Sequence, residues 1–258
     1  TQDFSYPERS AQTVNRILDI HEKHGVPVDI YLSSAIAALY EDRFPELLER
    51  LAASKLAAVS YHVRPPAPYY TKFDWNGMRQ MSETEQREIV RDYETHRIDP
   101  ETGRVTDRPG GYAHLKDLLG YAPWVASCQS DGELAAVVHA VLRELGARMF
   151  AMHGRALDFG DRAHGLFQRP EHVDLKLFQF VGQDAGGLLE NAFAEARSAR
   201  GATAPWFVGV KMHDNDFIAE KSAWTTVYLS RNRRPEWDVD VRAALLSEEK
   251  QAAMWELY

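Results

Sequence analysis

Four ionisable residues stand where predicted strands end. They are Asp3 near the amino end, His62 closing L-A-A-V-S-Y-H, His153 closing the run from Ala147, and His213 closing W-F-V-G-V-K-M-H, with Asp214 just beyond. Imidazole nitrogens and carboxylate oxygens are the usual ligands of zinc and similar divalent ions, and three of them plus a water make an open catalytic site. Such an ion lowers the pKa of its bound water and polarises a carbonyl, the ingredients of metal-assisted hydrolysis. Other chemistries find less support. No G-x-S-x-G elbow occurs, and Cys128 lies in C-Q-S-D with nothing nearby to lower its pKa. The H-D-N-D run at 213–216 lacks the further oxygen donors and the glycine of a calcium loop. A two-carboxylate glycosidase pairing Asp3 with Asp158 or Asp214 stays open.

The segment 63–121 interleaves Tyr69, Tyr70, Phe73, Trp75, Tyr93 and Tyr112 with Arg64, Asp74 and Arg79. Aromatic walls with a few polar anchors suit a ligand cleft, so Arg64, Tyr69 and Trp75 are candidate substrate contacts, together with Trp124 and Asp214. The same aromatics would serve equally to pack the loop onto the body of the protein.

Positioning these groups falls to an alternation of short apolar runs and amphipathic stretches. Val14, Ile17 and Leu18 recur at helical spacing ahead of Gly25, a C-cap signal. Val26–Leu32 reads as a strand and 35–54 as a helix interrupted at Pro45. Leu56–His62 is a second clear strand. Ser82 and Glu85 have capping-box spacing inside the otherwise irregular 63–121 loop. Further strands are expected at 124–127, 147–153, 174–181 and 206–213, and further helices at 131–145, 188–200 and in the tail at 239–258. Counting Thr1–Ser5 as the end of a first strand gives about seven, in the order of a parallel sheet covered by helices. No phosphate-binding glycine fingerprint follows any strand, which favours a barrel over a doubly wound sheet, as one domain spanning 1–258.

Composition bounds the partners. The 258 residues carry a net charge of −8 and are 45% hydrophobic, an ordinary globular balance that disfavours nucleic acid. No apolar stretch reaches the ~18 residues a bilayer requires. A lone Cys128 leans toward a reducing, cytoplasmic compartment. The aromatic loop and the amphipathic tail are surfaces that could serve a homo-oligomer.

The motifs, taken in order, resemble the polysaccharide deacetylase (NodB-homology) superfamily. T-Q-D-F-S at 1–5 is similar to the family's opening T-F-D-D-G, H-E-K-H-G-V-P-V-D-I-Y at 21–31 to its H-G-[IV]-P-x-T-x-F, and Y-H-V-R-P at 61–65 falls at its H-[ST]-x-x-H. L-R-E-L-G-A-R-M-F-A-M at 142–152 and V-G-V-K-M-H-D at 208–214 resemble the stretch before its acidic motif and its final L-x-H-D strand. The resemblance implies a distorted (β/α)7 barrel and a divalent-metal hydrolase, using zinc, nickel or cobalt, that removes acetyl groups from amino sugars or cleaves related C–N amide bonds. It makes Asp3 the general base, His62 a metal ligand and His213 the general acid, with Asp158 orienting the catalytic pair. Two of the usual ligands are replaced, by Phe4 and Pro66. An altered site of Asp3 and His62 with His153 or His213 is one consequence; loss of the metal, or a glycan-binding relative without turnover, are the others.

Overall fold

A computed structural model describes residues 2–127, 134–151, 158–201, 203–230 and 236–258. Local signals place most elements. Pro7 opens α1 (Pro7–His24), where its missing N–H costs nothing, and Gly25 closes it in the left-handed conformation, φ 65°. After β1 (Val28–Leu32), Ser33 caps α2 (Ser34–Arg43) by accepting from Ile36 N, and Pro45 starts α3 (Pro45–Ala53) rather than kinking one long helix. β2 (Ala57–His62) follows. The Ser82–Glu85 box caps α4 (Glu83–Thr95), both reciprocal bonds being formed.

The 63–121 segment is more ordered than its composition implies. It holds the hairpin β3 (His96–Ile98) and β4 (Val105–Pro109), then α5 (Gly111–Leu119). Glu94, fully buried, ties these together by accepting from Tyr69 Oη and from Tyr112 N at 3.0 Å. Gly111 has φ 65°, and a Cβ there would stand 2.1 Å from the Glu94 carbonyl carbon. Gly111→Ala therefore combines left-handed strain with a backbone collision, and is expected to cost at least about 3 kcal/mol. That corresponds to a fall in melting temperature of roughly 6–12 °C by calorimetry; an unchanged midpoint would show that the loop is not held this way.

The second half contains β5 (Val125–Ser127), α6 (Ala135–Leu145), β6 (Met149–Ala151), a hairpin of β7 (Arg162–Ala163) and β8 (Leu166–Arg169), then β9 (Val173–Lys176), α7 (Ala185–Arg200), β10 (Val208–Lys211) and α8 (Glu248–Leu257). The main sheet has the order β1-β2-β5-β6-β8-β7, parallel except for β7. β9 and β10 pair in parallel as a separate ladder. The chain is thus a mixed α/β protein with a parallel sheet. Among the described residues, hydrogen bonding does not close a ring. Pro170 lies between the two ladders: lacking an N–H, it cannot continue the pairing with β6, and His172 N resumes on Phe207 O at 3.1 Å.

Three expected elements differ. No strand forms at 2–5, because side chains claim its backbone: Asp3 N donates to Asp214, Ser5 N to Asp3, and Gln2 O accepts from Trp224 Nε1. The strand expected at 174–181 ends at Lys176 and passes into a 3-10 turn at Leu177–Phe180. In the tail only α8 is helical. Ile30, Leu32, Val59, Tyr61, Ala126 and Phe150 face a single hydrophobic cluster shared with all six of the first helices; each fully buried Ile, Leu, Val or Phe side chain contributes about 1.5–3 kcal/mol. No described helix is long and apolar enough to cross a membrane.

Candidate functional site

Asp3 and Asp214 meet in the interior, 1% and 4% exposed. Asp3 Oδ1 accepts from Ser5 N and Oδ2 from Ala223 N, both at 2.8 Å. Asp214 Oδ2 accepts from Asp3 N at 2.7 Å and from Ser10 Oγ at 2.6 Å, and Ser10 Oγ lies 3.1 Å from Tyr40 Oη. These bonds hold the amino-terminal segment and the end of β10 against α1 and α2. Burial raises both carboxyls above the usual carboxylate range, and Asp214 reaches about 7 because the Asp3 charge adds to its desolvation.

His213 immediately precedes this carboxyl. Its backbone N–H donates to Asp216 Oδ2 at 2.7 Å, and Nδ1 lies 3.1 Å from the same oxygen. Burial lowers the imidazole pKa, with the Asp216 hydrogen bond and charge opposing. The arrangement assigns the proton to Nδ1 and leaves the lone pair on Nε2. Phe178 packs at 5.2 Å between ring centroids. Two cations stand close by. Arg64 is enclosed near Tyr70 and Asp214, its guanidinium 5.9 Å from the Trp224 ring. Lys211 lies among Asp174, Arg64, Glu171 and Lys176. Arg64, Trp224, Ser33 and Tyr69 line a cleft of about 20 Å³, room for a single water.

Of the residues singled out in the sequence, Asp3, Asp214, His213 and Arg64 thus gather at the end of β10. His62 ends β2, 5% exposed, with Nδ1 3.2 Å from Ser127 O and its ring 6.1 Å from Tyr31. The others go elsewhere. Tyr69 is 2% exposed and spent on Glu94. Trp75 packs edge-on against Phe73 and Trp237 at 5.7 and 5.4 Å, so the loop aromatics fill core. Asp158 is exposed and pairs with Arg200 of α7, which leaves it solvated rather than orienting a catalytic pair. Trp124 is 72% exposed but precedes β5, at the opposite end of the strands from His62 and Ser127. His153 lies outside the described residues.

Among the described residues no three His, Cys, Asp or Glu side chains are grouped to hold an ion, and His153, one ligand of the set implied by the resemblance, lies outside them. Both Asp3 oxygens are engaged by backbone amides, Phe4 packs on Trp224 at 4.8 Å, and Pro66 follows Pro65 through a cis bond beside Arg64. Residues that the sequence left unmarked also converge here: Ser10, Lys211, Glu171 and Arg169. Only the alternation in V-D-I-Y-L, which sets Asp29 and Tyr31 on one face, hinted at a polar inner surface. No family model matches the chain, and neither the curated proteins nor the solved structures contain a match to it.

Proposed function

We propose that the protein is a hydrolase of the carbohydrate-deacetylase type, cleaving the C–N amide bond of an N-acetylated amino sugar or a related small amide. The observation that carries this reading is the His213–Asp216 pair at the end of β10, beside the cations Arg64 and Lys211. Burial favours the neutral imidazole, so Nε2 first acts as base, taking a proton from the water that attacks the amide carbon. Asp216 steadies the imidazolium so formed. Arg64 and Lys211 supply positive charge for the oxyanion of the tetrahedral intermediate. As the C–N bond breaks, the imidazolium returns its proton to the departing amine, giving a free amine and a carboxylic acid. The acid role implied for His213 is thereby kept as the second half of its cycle. Asp3, bound by two backbone amides, serves to position Asp214 and the end of β10.

The proposed architecture is a distorted, open (β/α)7 barrel. The sequential order β1-β2-β5-β6-β8, continued by β9 and β10 after Pro170, supports it. The experiment is incubation with N-acetylglucosamine hexamer, scoring acetate and new primary amines, with zinc, nickel or cobalt added and with chelator. Equal release of acetate and amine is expected. New reducing ends without acetate would replace the reading by glycoside hydrolysis, and binding without either product would replace it by glycan binding.

A further inference from the structure

A cleft of about 560 Å³ lies between the first half of α1, the turn that follows Asp216, and α8. Its size is that of ordinary small-molecule sites, and it shares no lining residue with the cleft at Arg64. Arg9, Gln12, Thr13 and Arg16 recur at i, i+3, i+4 and i+7 of α1 and so stand on one face. Gln251 and Trp255, four apart on α8, form the facing wall, and Phe217 and Ile218 close the floor.

The ion pairs around α1 give the cleft its sign. Among the described residues that line it Glu8 alone is acidic, and Arg43 of α2 holds it in an ion pair. The other two acids of α1, Asp19 and Glu22, are both taken by Arg50 of α3. Arg9 and Arg16 are left without a carboxylate partner among the described residues, in a chain whose net charge is −8. Arg16 is also held in place: its guanidinium carbon stands 4.0 Å from the Trp255 ring centroid, and Phe217 covers the other side of that ring at 4.1 Å between centroids. Gln251 Nε2 donates to Leu246 O at 2.8 Å, which leaves Oε1 to accept.

Two such guanidiniums favour two anionic groups, since each binds a carboxylate or phosphate through parallel N–H donors. Seven residues of α1 set them about 10.5 Å apart along the helix axis, so the anionic groups belong at opposite ends of an elongated molecule. With both faces of Trp255 covered, no indole face is left for a ligand ring to stack on, which disfavours a nucleotide base. We propose that this cleft binds an elongated dianion, a six- to eight-carbon diacid or a bisphosphate of like length, with Arg9 and Arg16 each holding one end. The site is independent of the hydrolase reading.

Isothermal titration calorimetry of the full chain with suberate, fructose 1,6-bisphosphate, octanoate and 1,8-octanediol tests this. At least one of the two dianions is expected to bind about tenfold or more tightly than octanoate, and the diol not to bind; the tighter dianion tells a carboxylate site from a phosphate site. Arg9→Gln and Arg16→Gln are each expected to weaken that dianion about tenfold, the worth of one charge-assisted contact, while His213→Gln binds it as wild type. Both arginines are exposed, and an unchanged melting temperature shows the loss to be local; should Arg16→Gln lower it, Arg9→Gln decides alone. Octanoate binding as tightly as either dianion, wild-type affinity in Arg9→Gln, loss of binding in His213→Gln, or no saturable heat from either dianion up to about 10 mM would each overturn the proposal.

Discussion

His213→Gln is expected to lower kcat for amide cleavage by about 10²- to 10⁴-fold, the range over which a positioned base acts, with KM little changed. Glutamine fills much the same space and can still hydrogen-bond Asp216, so melting temperature should move little. The pH profile carries the sharper information. Because burial depresses the imidazole pKa below its ordinary value of 6.5, the base form predominates at pH 7. The acid limb of kcat/KM should therefore lie below pH 6.5. Asp216→Asn removes a hydrogen bond and a charge that raise this pKa, so it should carry the limb to still lower pH while reducing the plateau, since the imidazolium loses its counter-charge. Retained activity in His213→Gln, or a limb in Asp216→Asn that does not move, would remove His213 from the mechanism.

The second large effect concerns stability. Asp214 has an ordinary value of 3.8 and is raised to about 7 in the fold, so between these values the native state holds a proton that the unfolded chain has released. The linkage relation then has stability falling with rising pH. The protonated carboxyl is fully accommodated below pH 3.8, the cost accumulates through the window from about 4 to 7, and it is constant above. A shift of this size amounts to roughly 4 kcal/mol. Asp214→Asn keeps an oxygen to accept from Asp3 N and Ser10 Oγ and carries no titrating charge. Urea unfolding should find it as stable as the wild type near pH 4, and more stable by up to roughly 4 kcal/mol at pH 8. Parallel stability profiles for the two proteins would show that Asp214 stays ionised in the fold.

Helix limits were legible in sequence because their causes lie within four residues. Gly25, the break at Pro45, the Ser82–Glu85 box and Gly146 after α6 each act through a local dihedral or a cap hydrogen bond, and the structure has them where the residues stand. The short strands β1 and β2 were legible for the same reason, as apolar runs between such punctuation. Asp3, His213 and Asp214 were legible as candidates because polar residues at the ends of apolar runs have few structural uses.

What each side chain meets was settled by tertiary structure. Tyr69 and Glu94 are 25 residues apart, and Asp3 and Ala223 are 220 apart; nothing in either local sequence specifies the partner. So an aromatic loop that reads as a ligand wall turns inward as core, α5 forms only where Ser34 and Glu94 receive its first amides, and Asp3 terminates no strand because the Asp214 carboxylate takes its N–H. Composition and spacing determine which groups are available and which local turns they make. Whether two of them share a site depends on strand register and on the switch of partner at Pro170, which are long-range pairings whose energy exists only once the chain has closed around them.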